Sequence, residues 1–151
     1  LKKEPITVNP YLLEIIRELR HKEPTEKVTI KMEASEELVG MADPRKLKRV
    51  IVNLINNAVE AMESHGVDDP KVSVIGAQVN GHIELKIQDN GPGIPEKIRR
   101  KLFDPFVTSG KENGTGLGLA IVKQIVDAHE GKIVVDSSDA GACFTISLPR
   151  S

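Results

Sequence analysis

The sequence is short of the residues that several common kinds of site require. One cysteine, Cys143, stands among 151 residues. No internal disulfide and no cysteine-based zinc site can form, and a reducing compartment suits the chain. Tryptophan is absent and aromatics make up 3% of the residues, which argues against reading splayed-out bases by stacking. No apolar run approaches the roughly 18 residues of a membrane span, and no signal-peptide pattern opens the chain. Neither sign of charge dominates: the formal net charge is -1, so there is no general pull toward nucleic acid or an anionic membrane. What is present is a globular composition, 39% hydrophobic and 28% charged. At this length it suits one compact domain with its own core. The first residue is Leu1 rather than Met, so the chain is expected to be part of something longer.

Residues 1–8 read as a connector from an upstream domain, with one short extended piece at Ile6-Thr7-Val8. Asn9-Pro10 then predicts a helix start, Asn as N-cap and Pro at the first helical position. Leu12, Leu13, Ile15, Ile16 and Leu19 form its apolar stripe, and Pro24 closes it. Alternation predicts strands at Val28 to Met32 and Val39 to Ala42. Asp43-Pro44 opens the longest helix, about Pro44 to Ser64. Val72 to Val79 and Ile83 to Gln88 are strands joined at Asn80-Gly81, a strong hairpin signal. After the break at Gly91-Pro92-Gly93 come a short helix, Pro95 to Leu102, and a Gly-rich stretch from Asp104 to Gly116. A helix from Leu117 to His129 and strands at Lys132 to Asp136 and Ala142 to Leu148 complete the chain. Strands and helices do not alternate as regular β-α-β units. The pattern predicts an α+β fold, a two-layer sandwich with helices on one face of a mixed sheet.

Three places break local rules. Asn53, Asn56 and Asn57 sit mid-helix, although asparagine competes with the helix for backbone hydrogen bonds. Asn53, Asn57 and Glu60 project to one polar flank, either a solvated face or a set of oxygens able to hold a hard cation such as Mg2+. Asp89 continues the inward parity of Ile83, Leu85 and Ile87, where a carboxylate is costly unless a donor meets it. An adenine amino group is one such donor; an Asx-turn at Asn90-Gly91 is the other role open to it. Gly114-Thr115-Gly116-Leu117-Gly118-Leu119 runs into a helix, and its free N–H groups suit phosphates. A plain tether would also use such glycines, and the spacing matches neither a Walker A loop nor a dinucleotide fingerprint. Between these segments Phe103 and Phe106 flank Asp104-Pro105 and can anchor a lid that carries Lys111.

In chain order, Asn53 to Ala58, Asp89 to Ile94, Phe103 to Phe106 and Gly114 to Leu119 resemble the N, G1, F and G2 boxes. These mark the catalytic ATP-binding domain of two-component sensor histidine kinases, in the superfamily of gyrase-type topoisomerases and certain chaperones. The likeness covers residues 9–151 and implies a two-layer α/β sandwich binding Mg2+ and ATP under a mobile lid. It implies that Asn57 holds Mg2+ and that Asn53 supports the phosphates, the two residues nearest the chemistry. It implies that Asp89 accepts from the adenine amino group, with Gly91, Gly93 and Ile94 shaping that pocket. Gly114, Thr115, Gly116, Leu117, Gly118 and Leu119 would contact phosphates, Lys111 would neutralise charge, and Thr145 would lie near adenine.

Two departures from the family pattern bear on mechanism. Glu60 stands where many members carry Lys or Arg. Asn53 stands where the ATPase branches carry a base for water, which favours transfer over hydrolysis. The implied reaction is transfer of the γ-phosphoryl group to a histidine on a separate dimerisation domain, with a response regulator downstream. The location would be cytoplasmic, with no nucleic acid or membrane contact. His21, His65, His82 and His129 are all read as structural or solvated, so the chain is not expected to label itself. An anti-sigma-type serine kinase, a regulatory nucleotide-binding module and a stand-alone ATPase remain alternatives.

Overall fold

The computed structural model describes residues 1–104 and 118–150. Among the described residues a mixed sheet is built from β2 (Thr29–Ala34), β4 (Lys71–Val79), β5 (His82–Asp89), β7 (Gly141–Pro149) and β6 (Lys132–Ser138), in that spatial order. Only β2 and β4 run parallel. Two four-residue strands, β1 (Glu4–Thr7) and β3 (Val39–Ala42), pair antiparallel in a second small sheet. The helices are α1 (Val8–Leu19), α2 (Pro44–Ser64), the short α3 (Glu96–Arg99) and α4 (Gly118–Ala128). On the sheet α1 lies over β2, α2 over β4 and β5, and α4 over β6 and against α2. This is the expected two-layer α+β architecture.

The core lies between those layers. Ile83, Leu85 and Ile87 of β5 and Phe144, Ile146 and Leu148 of β7 face the helices, while Lys86, Gln88 and Thr145 alternate to the other side. The buried face of α2 is broad. It takes in Ile55 and Val59 beside Leu47, Val50, Ile51, Leu54, Ala58 and Met62, because the helix is covered by the sheet and by α4. Asp43 caps α2 as predicted: its Oδ1 accepts from the amides of Arg45 and Lys46, and Pro44 takes the first turn. Asn80 and Gly81 both adopt positive φ, 49° and 78°, as the predicted two-residue hairpin needs.

Several boundaries differ from the sequence reading. The extended piece near Ile6 is Glu4–Thr7, paired with β3, and Ile6 is buried. Helix α1 begins at Val8 after Thr7, which makes no side-chain cap. Asn9 is therefore inside the helix, and its Nδ2 donates instead to the Ala34 carbonyl at 2.7 Å. The short helix after Gly93 is only Glu96–Arg99. Just after α4, Glu130 adopts a left-handed backbone, φ 59°.

Candidate functional site

The site is framed by the end of β5, the flank of α2 and the start of α4. Asp89 closes β5 on the helix-facing side, as its parity predicts. Its Oδ1 accepts two backbone N–H groups, from Gly91 at 2.9 Å and from Ala142 at 3.3 Å. No described donor reaches Oδ2. Burial pushes the Asp89 carboxyl above its ordinary value, and the Gly91 and Ala142 amides pull the other way without cancelling it. Among the described residues the carboxylate is thus held by one oxygen. Its neighbour Asn90 serves the fold: Oδ1 accepts from the Lys71 amide at 2.7 Å and Nδ2 donates to the Asp69 carbonyl.

The β6–β7 hairpin forms the back wall of the loop after Asp89, a role the sequence reading did not assign. Ser137 Oγ accepts from the Ile94 amide at 2.6 Å. Gly93 has φ +79°, and a Cβ there would lie 2.1 Å from the Ser138 carbonyl oxygen. Across the hairpin, Gly141 has φ +137°, and a Cβ would come within 2.0 Å of the Asp89 carbonyl oxygen. Both positions need glycine for conformation and for space. Gly91 is buried beside Met62. Gly91, Gly93 and Ile94 are therefore brought to Asp89 by a clamp made of Ser137, Ser138, Gly141 and Ala142. The Gly141 before an alternating strand was a visible signal for that clamp; a donating backbone N–H has no sequence signature.

On the helix side, Asn53, Asn56 and Asn57 are half-buried along α2 and Glu60 is exposed. A Cβ at Gly118 would lie 3.6 Å from Asn53 Oδ1, so the start of α4 meets the asparagine flank. Leu119 follows in the first turn of α4 and packs against the core. Phe103, half-buried, sets its ring edge-on to Phe144 with centroids 6.5 Å apart. It anchors the segment that leaves α3. Phe106, Lys111, Gly114, Thr115, Gly116 and Leu117 lie outside the described residues.

Thr145 is not brought to this site. Strand β7 buries Ala142, Phe144, Ile146 and Leu148, so Thr145 points to the opposite face, beside Lys86 and Val134 in register. The part of β7 that reaches Asp89 is the Ala142 amide. Among the described residues no three His, Cys, Asp or Glu side chains gather as a metal cage. The side-chain amide oxygens of the Asn53 and Asn57 flank are hard donors of the type a cation such as Mg2+ takes. The four histidines behave as expected for structural or solvated groups. His65 and His82 are exposed beside backbone carbonyls, His21 is exposed in a turn, and His129 is buried.

The profile of the family described as "Histidine kinase-, DNA gyrase B-, and HSP90-like ATPase" matches residues 42–151. The chain belongs to that family. Within it, the chain is similar to sporulation kinase A of Bacillus subtilis (strain 168), 41% identical over 109 residues that cover 72% of this chain and 17% of that protein. The fold of this family member matches the nucleotide-free catalytic domain of histidine kinase ThkA with TM-score 0.85 and 28% identity, covering 99% of both chains. It also matches ThkA crystallised with the response regulator TrrA, with TM-score 0.80 and 26% identity, over 99% of this chain and 42% of that one. The chain therefore spans less than a fifth of the length of sporulation kinase A. Among the described residues no helix is long and apolar enough to cross a membrane.

Proposed function

We propose that this family member is the ATP-binding catalytic domain, itself cytoplasmic, of a sensor histidine kinase. It would hold Mg-ATP and deliver the γ-phosphoryl group to a histidine on a separate dimerisation domain, with a response regulator receiving it afterwards. The observation that carries the reading is the half-satisfied Asp89. A part-buried carboxylate whose Oδ1 takes two amides, with no donor on Oδ2 among the described residues, can accept one neutral N–H donor, as an adenine amino group provides.

Around it, Gly91, Gly93 and Ile94 would shape the adenine pocket. Gly118 and Leu119 would continue a phosphate-binding turn begun by Gly114, Thr115, Gly116 and Leu117, and Lys111 would neutralise charge there. Asn57, with Asn53 a turn away, would hold Mg2+, which supplies charge neutralisation of the triphosphate when bound. Thr145, on the far face of the sheet, has no part in this reading. The amide of Asn53 cannot take a proton from water, so these residues position a phosphoryl group without activating a hydrolytic nucleophile. That favours transfer to an imidazole outside this chain over steady hydrolysis.

The test is to incubate the chain with γ-labelled ATP and Mg2+, with and without the histidine-bearing domain of its parent. The expected result is acid-labile label on the partner histidine and none on this chain. Label on this chain alone, or steady phosphate release without the partner, contradicts the proposal.

A further inference from the structure

His129 is 1% exposed, and both of its ring nitrogens are engaged. The Asp43 amide donates to Nε2 at 3.0 Å, across 86 residues of sequence. Nδ1 meets the Ile125 carbonyl at 2.8 Å. Because an amide N–H points at Nε2 and a carbonyl at Nδ1, the ring is the neutral tautomer with its proton on Nδ1. The start of α2 that it grips is itself fixed. Tyr11 Oη donates to the Pro44 carbonyl at 2.6 Å, and the Lys2 amide donates to Asp43 Oδ2.

The two helices run antiparallel. Asp43, before α2, meets His129, after α4; ten residues on in α2, Asn53 meets Gly118, eleven residues back in α4. At 1.5 Å per residue the paths are about 15 and about 16.5 Å long, so the two contacts are the ends of one register. Packed helices slide past one another in small shear steps, and the Asp43–His129 hydrogen bond ties the end of α4 to the start of α2. The geometry points to His129 as a positioning residue: Nδ1 on the Ile125 carbonyl orients the ring within α4, and the Asp43 amide on Nε2 sets the axial register of α4 on α2 and so places Gly118 opposite Asn53. His129 touches no ligand. It acts through α4, and its bearing on nucleotide binding rests on the proposed reading of the site.

The test uses the 151-residue chain, its His129→Leu and His129→Gln variants, and Ile30→Ala as a comparably destabilised core variant at the far edge of the sheet. All are measured at a temperature where circular dichroism shows them folded. Without ligand, NMR cross-peaks between the Asn53 side-chain amide and Gly118 should be present in the native chain and lost in His129→Leu. In calorimetry with Mg2+ and a non-hydrolysable ATP analogue, His129→Leu should bind at least tenfold more weakly and Ile30→Ala within twofold of native. His129→Gln, whose amide can still accept from the Asp43 N–H, should recover most of the loss. Retention of the cross-peaks in His129→Leu, or an equal affinity loss in Ile30→Ala, overturns the positioning role. No binding by the native chain overturns the site reading instead, and the cross-peaks still decide the register.

Discussion

Among the described residues, Asp43 and Asp89 are aspartates whose side chains are gripped by backbone amides, and they differ in how many oxygens those amides meet. Asp43 spends both oxygens on the fold: Oδ1 on the Arg45 and Lys46 amides, Oδ2 on the Lys2 amide. The Lys2 amide above all, then Lys46 and Arg45, hold its carboxyl below the ordinary range against the opposing effect of desolvation. Asp89 spends one oxygen, and burial holds its carboxyl above the ordinary range. A carboxylate whose oxygens are met by amides stabilises the fold, whereas desolvation that the amides do not offset disfavours the charged form. The two also titrate in opposite senses. Asp43 contributes stability that is complete above its unfolded value near 3.8 and is lost as pH falls through its lower folded value. At Asp89 stability is greatest below 3.8 and falls as pH rises through the raised folded value, remaining lower beyond it.

The largest expected effect attacks the Asp89 side. Gly141→Ala forces a Cβ onto the Asp89 carbonyl at a φ that side chains avoid, and should cost about 2–3 kcal/mol of stability. Nucleotide affinity should fall with it, because Asp89 must move. A denaturant midpoint equal to native would remove the clamp from the account. Asp43→Ala should lower Tm by about 3–5 °C at neutral pH, the usual effect of a lost cap in a domain of this size. That deficit should shrink as pH drops below 3.8, while the affinity of the folded variant stays within about threefold of native. An affinity loss matching that of an Asp89 variant would break the distinction between the two aspartates. Ser137→Ala removes the acceptor of the Ile94 amide and should weaken nucleotide binding by about fivefold, the equivalent of one hydrogen bond. The smallest effect belongs to Glu18. Its carboxyl is drawn down to about 2 by hydrogen bonds and charge from Lys22 and Lys48, yet all three side chains are substantially exposed. Glu18→Gln should leave Tm unchanged within a degree or two at 0.15 M salt, because solvent and salt screen such pairs. A larger drop would mean that surface charge contributes more than the account allows.

What could be read from the sequence was carried by side-chain types at fixed spacing. Asp43-Pro44 fixed the start of α2, Asn80-Gly81 fixed the hairpin, and the Asp89 parity placed a carboxylate on the helix-facing side. What could not be read depended on backbone groups or on distant pairing. Strand β3 has the bounds that its alternation predicts, but β1 is four residues whose partners lie more than thirty residues away, too little local pattern to outweigh the Asn9-Pro10 cap signal. The amides of Gly91 and Ala142 that hold Asp89 carry no residue signature. The displacement of Thr145 from the site was legible in principle, since Ala142, Phe144, Ile146 and Leu148 alternate with it and claim the core face. His129 is the opposite case: a polar residue among apolar neighbours, whose partner, the Asp43 amide, no sequence pattern reveals.

The most direct measurement pairs calorimetry with thermal denaturation on the native chain and Asp89→Asn at pH 7. Asparagine keeps an oxygen for the Gly91 and Ala142 amides but removes the buried charge and replaces the free acceptor. The account predicts that Asp89→Asn loses at least about thirtyfold in affinity for a Mg-ATP analogue, near 2 kcal/mol for a hydrogen bond to a charged group. It also predicts that the ligand-free variant melts at or above the native Tm. Native-like affinity in Asp89→Asn, or a ligand-free variant that melts well below native, would contradict the claim that Asp89 is held for a ligand and not for the fold.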